Sequence, residues 1–239
     1  MRDDRRLRSS RRIGTGLAFI VFPIVFVFAF AVHPGLLHPR FLGPADLILR
    51  ARGAGLLQFA HALVTLDTAL LVVAALHFMK LLDRTSAAWA GFVGASLAVP
   101  GALALAADKG ALCLTMSALD GLSDPDFAGM MPGLLAIFGR QGWMVLIWGI
   151  LLLPIGFAIQ AVGLLRTRAL PRWQSLLFLV GVLLIGTPDG VELVNLSAAI
   201  LLTIAFVPYG LRLVRGEPGE PPARVGSRAG APTDGRPST

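Results

Sequence analysis

The stretch WQSLLFLVGVLLIGTPDGVELVN, residues 173–195, decides how the chain is read. Its first part, 173–187, carries no ionisable residue; Pro188, Asp189 and Gly190 follow at once, and a second apolar run opens around Glu192. A helix that crosses ~30 Å of hydrocarbon needs roughly 20 apolar residues. A run of this length rises only ~22 Å at 1.5 Å per residue, which makes it an undersized crossing with its acidic bend sunk into one leaflet. Irregular backbone at that depth is tolerated only where protein buries it or water reaches it.

Working outward, five more apolar runs bounded by charge, Pro/Gly clusters or aromatic residues occupy 13–32, 53–77, 87–107, 143–165 and 190–213. The composition agrees: 55% of the residues are hydrophobic and 15% charged, against roughly 45–50% and 25% in soluble domains. The mean hydropathy is +0.74. The expected fold is an all-α, polytopic transmembrane helical bundle with six spans over 13–213. A basic cytoplasmic arm, 1–12, precedes it, and a tail rich in Pro, Gly, Arg and Ser, 214–239, is expected to be disordered. No internal repeat is evident, which counts against the inverted-repeat architecture of many transporters.

A net charge of +7 would suggest nucleic acid in a soluble protein, but the basic residues fall between apolar runs and form no single patch, so no nucleic-acid partner is expected. They read as topology signals. With the N-terminus in the cytoplasm, 16 of the 21 Lys and Arg lie on the inner side, leaving Arg40, Arg50, Arg52, Lys109 and Arg140 outside. That bias places both termini in the cytoplasm. Arg50 and Arg52, flanking the second span outside, fit least well. Basic usage is almost all arginine, with Lys80 and Lys109 the two lysines, a bias that suits a GC-rich bacterial genome and hence a bacterial cytoplasmic membrane. The start also has features of a cleavable signal, with Ala29-Phe30-Ala31 as a small-residue site, but its apolar run exceeds the usual h-region of about 7–15 residues and Pro23 interrupts it. An uncleaved first span is expected.

Two outer segments are expected to form short interfacial helices. Residues 44–52 (PADLILRAR) set Leu47, Ile48 and Leu49 beside Asp46, Arg50 and Arg52 behind an N1 proline. Between 108 and 142, two apolar pieces at 111–119 and 127–138 are each too short to cross; they are expected to cap the bundle.

Ionisable groups inside a span each call for a partner or a wet cavity, because each costs roughly 2.5–3.5 kcal/mol at mid-span. At 100° per residue, Gln58, His61, Thr65 and Thr68 form one stripe on the second span, while the intramembrane acid Asp67 stands ~100° or more from every member of it. Asp67 therefore needs another neighbour or a proton. By helix rise, His61 lies ~9–13 Å below the outer boundary, a depth similar to that of the acidic bend. The candidate polar pocket joins Gln58 and His61 with Asp189, Glu192 and Asn195, opening outward, where imidazole and carboxylates can bind a cation or exchange protons. The alternative is structural: Asp189 and Glu192 cap the last span, where carboxylates suit the positive end of the helix dipole, and His61 bonds a facing helix.

Absences narrow the chemistry. His61 and His77 share one span ~160° apart, which argues against a bis-histidine haem. His33 and His38 could join His61 around a metal at the outer surface, but the spacing is not that of a metal motif, and neither metal nor cofactor is expected. No HExxH, GxSxG or GxxxxGK[ST] pattern occurs, and Cys113, the single cysteine, has no evident activating base. Gly91, Gly94, Ala95 and Ala98 give small-xxx-small spacing on the third span. The expected function is binding or conduction of a small solute or cation through the outward pocket. Two alternatives follow: a non-catalytic accessory subunit with a filled bundle and an apolar lateral face for a membrane partner or second copy, and a membrane enzyme at the outer lipid interface. The last would need Asp108, Asp124, Asp126 and the loop histidines to converge.

Overall fold

The computed structural model describes residues 2–33, 36, 43–138, 144–185 and 192–217, with the backbone alone at 2–5, 138 and 144–148. Among them the structure is helical, with connecting turns and no strand. The helices are α1 (Arg2–Ala31), α2 (Pro44–Ala51), α3 (Gly55–Leu82), α4 (Ala88–Leu119), α5 (Asp124–Phe138), α6 (Met144–Thr167), α7 (Arg172–Ile185) and α8 (Glu192–Arg215). Five of them contain stretches long and apolar enough to cross a membrane: Arg6–Ala31, Gly55–Leu82, Ala88–Leu119, Gly149–Thr167 and Glu192–Arg215. The undersized run becomes α7, an apolar helix of 14 residues that rises ~21 Å. The chain is thus an all-α bundle of the multi-pass membrane kind.

Six helices close a ring in the order α1, α3, α4, α6, α7, α8, each packed on the next and α8 back on α1. Large apolar side chains such as Leu17, Leu66, Phe92, Leu103, Ile155, Leu183 and Ile204 point outward and are exposed. An apolar belt around every wall of the ring suits hydrocarbon as the surrounding solvent. One end of the ring, the arm end, carries the start of α1; the other, the cap end, carries α2 and α5. There Ile48 and Ala51 of α2, Leu57 of α3, Met116 and Leu119 of α4, and Phe127 and Leu134 of α5 form a second core.

Glycine lets two of the walls touch backbone to backbone. A Cβ on Gly16 of α1 would stand 2.7 Å from the Gly210 carbonyl of α8, and one on Gly156 of α6 would stand 2.5 Å from the Gly94 carbonyl of α4. Gly94 and Ala98 belong to the small-residue series seen in the sequence, and their close approach to α6 is the packing that such spacing permits.

Residues from Arg2 to Arg12 are helical and belong to α1, since no glycine or proline interrupts them before Gly14. The piece at 111–119 is not a separate interfacial helix: α4 runs unbroken through Asp108 and Lys109, whose side chains pair at 3.2 Å. Only the second piece stands alone, as α5. Ser123 starts it, accepting from the Asp126 N–H through its hydroxyl while donating that hydroxyl's proton to the Asp126 carboxylate, a local cap for the first turn.

Candidate functional site

Glu192 is the first residue of α8, where a carboxylate suits the exposed N–H groups and positive dipole end of the helix. It is only 3% exposed, and Asn195, one turn on, is 4% exposed. The Glu192 carboxylate faces His33, whose Nδ1 lies 3.5 Å away. His33 sits just past α1, and its N–H donates to the Phe30 carbonyl at 3.3 Å, so the chain there still follows the helical course. A buried acid and an imidazole from the two helices that zip together thus meet at the cap end.

The other expected members are distributed differently. The Gln58 amide donates to the Asp120 carboxylate, which also accepts the Gly53 N–H at 2.8 Å, and the Cys113 thiol donates to the Gln58 carbonyl at 3.4 Å. Gln58 is therefore held toward the end of α4. Thr65 donates to the His61 carbonyl at 2.8 Å and Thr68 to the Thr65 carbonyl at 2.7 Å, so both hydroxyl protons are spent on their own helix. His61 is half-buried on the same helix. Asp189 and His38 lie outside the described residues. Among the described residues, no three His, Cys, Asp or Glu side chains are grouped as metal ligands would be.

Asp67 lies on a different face. It is 3% exposed, and neither carboxyl oxygen has a hydrogen-bond partner among the described residues. At 3.6 residues per turn it shares its stripe with Leu71, Ala74 and Phe78, all of which line a cavity of about 30 Å³ inside the ring. That cavity is walled by apolar side chains from α1, α3, α6, α7 and α8, a lining that stays dry.

Aromatic rings form much of its wall and pack on one another. Phe78 meets Phe19, Phe157, Phe178 and Phe206 at centroid distances between 5.1 and 6.5 Å. Polar staples stiffen this half of the ring. Gln160 donates to the Ala75 and Gly91 carbonyls at 2.9 and 3.2 Å. Gln174 donates to the Ala205 carbonyl and accepts from Arg212, both at 3.0 Å. His77 and Tyr209 share a hydrogen bond of 2.7 Å.

Reading residues one by one missed the His33–Glu192 pair, because it depends on α1 lying against α8. Matching glycines on the first and last spans, Gly16 and Gly210, were the available signal. No protein-family model, curated protein or solved structure matches the chain.

Proposed function

We propose that this chain is a multi-pass membrane protein that binds a small cation, the proton included, at its cap end and does not conduct it through the bundle. The observation that carries this reading is Glu192, a carboxylate buried to 3% and set 3.5 Å from His33 at the mouth of the ring. Ionisable groups held inside a membrane bundle are there for function by default, since each is costly to place. Binding is favoured over conduction by the rings packed around Phe78, which fill the route to the arm end. With the positive-inside bias of the loops, both termini sit in the cytoplasm of a bacterial cell and the cap faces outward.

A second reading is favoured by the same filled centre and by the apolar belt: an accessory subunit whose outer wall takes a membrane partner or another copy. The lipid-enzyme reading gains nothing. Asp108, Asp124 and Asp126 are engaged separately with Lys109, Arg52 and Ser123.

The test is thermal unfolding of the full chain in nanodiscs across sodium, magnesium, zinc and pH, for the unmodified protein, Glu192→Gln and His33→Ala. A cation or proton response in the unmodified protein that both variants lose supports the cap site. Responses identical in all three proteins overturn it.

A further inference from the structure

Three helices carry the same register above one aromatic layer. The Phe206 ring touches those of Phe78 and Phe22 at 5.6 and 5.5 Å. Asp67 stands eleven residues from Phe78 on α3, Asn195 eleven from Phe206 on α8, and His33 eleven from Phe22 along α1. Eleven residues are three turns with a residual rotation of only ~20° and a rise of ~16 Å. Helices α3 and α8 run away from the cap and α1 toward it, so all three displacements lead in the same direction, to the cap side. Asp67 and Asn195 therefore lie at one depth on the inward faces of their helices, and His33, two residues past the end of α1, comes close to that depth. The 3.5 Å approach of Glu192, one turn from Asn195, to His33 checks that register independently.

Within this layer Asp67 is the anomaly: nine-tenths and more buried, without a hydrogen-bond partner among the described residues, and one turn above a dry cavity. A carboxyl in such a place needs a charge-neutralising companion. Among the described residues, the ionisable groups that the surrounding helices supply at this end can be named one by one. His33 follows α1, α8 brings Glu192, and α4 brings Asp108 and Lys109, paired with each other, and Cys113 and its C-cap Asp120, both bonded to Gln58. Helix α3 itself adds His61, and α6 and α7 contribute no ionisable group between their described side chains at 149–165 and 173–185.

We propose that the ligand of the cap site is a proton and that Asp67 is its inner acceptor, loaded from the His33–Glu192 pair. This deepens the reading given above and rests on it. A proton arriving from cap-side water bonds to the His33 imidazole or the Glu192 carboxylate; its transfer breaks that N–H or O–H bond and forms an O–H bond on Asp67. No electron moves, and the layer's charge rises by one. A proton suits the place because it needs no coordination shell, and no ligand group for a metal is assembled among the described residues.

The experiment is infrared difference spectroscopy of the full chain in nanodiscs between about pH 5 and 8, the range in which histidine ordinarily changes charge. A carboxylic C=O band that titrates in the unmodified protein, vanishes in Asp67→Asn and changes frequency in Asp67→Glu is the expected result. Its pH midpoint should move by about half a unit or more in Glu192→Gln and His33→Ala, as for charges that interact at close range. A band unchanged in both Asp67 variants, or no titrating band at all, overturns the assignment; Asp67→Glu alone decides if Asp67→Asn does not fold. A cation response lost in Glu192→Gln, with no band from Asp67, leaves the cap site standing and removes Asp67 from it. An Asp67 band whose midpoint ignores His33 and Glu192 overturns the loading route.

Discussion

Gly94 on α4 and Gly156 on α6 face each other so closely that a Cβ on either would stand within 2.7 Å of the other's carbonyl oxygen. Neither carbonyl can give way without breaking its own helix. Gly156→Leu is expected to pry the two walls apart and cost about 1–3 kcal/mol, the usual range for overpacking a tight interface. A leucine in place of Gly133, where a Cβ meets nothing within 4 Å, serves as the control. Chemical unfolding in detergent that ranks the two variants equally would contradict the close-contact role.

Phe78 is the ring on which four helices converge. Phe78→Ala should cost about 3–5 kcal/mol, the range for removing a buried aromatic side chain. The existing void of about 30 Å³ should grow enough to take an apolar probe such as xenon, since a cavity with this lining excludes water. Xenon uptake no greater than in the unmodified protein would show that the surrounding rings collapse inward.

Tyr209→Phe removes one hydroxyl and takes from the His77 ring the hydrogen bond it shares with that hydroxyl. A buried polar group deprived of its partner costs about 1–3 kcal/mol, so the variant should melt earlier. His77→Phe combined with Tyr209→Phe removes both polar groups and should recover most of the loss. A double variant no more stable than the single one would argue that the 2.7 Å bond is incidental.

Arg52 ties the cap together: it donates to the Leu122 carbonyl at 2.8 Å and to Asp124 at 2.9 Å, and its guanidinium lies 4.3 Å from the Phe127 ring centre. The Asp124 side chain is 93% exposed, and such ion pairs contribute little. Arg52→Ala is therefore expected to speed hydrogen exchange in α2 and α5, while Asp124→Ala leaves it near the unmodified rate. Equal effects of the two substitutions would reverse that ranking.

The helices themselves were legible because apolar length is a one-dimensional signal, and the run at 173–187 was correctly read as short: it became a 14-residue helix. Helix ends were less legible. Asp108 and Lys109 looked like a boundary, yet adjacent opposite charges neutralise each other and let α4 continue to Leu119. Asp67 was recognisable as an oddity from its angle on the helix, but its surroundings depend on how α3, α1 and α8 come together. That is a relation between distant segments, and no local pattern carries it. The same limit hid Asp120 as the acceptor for Gln58: a turn residue becomes a partner only once α4 and α3 lie side by side.

The pairing of α1 with α8 also bears on how the molecule is made. In a chain inserted from its N-terminal side, α1 enters the bilayer before α3, α4, α6 and α7, and the helix that covers Gly16, Phe19 and Phe22 follows only after all of them. Until then that face must be shielded by lipid or by insertion machinery, and a translation product that stops before α8 keeps it open, so premature termination should yield a species that cellular quality control recognises and removes.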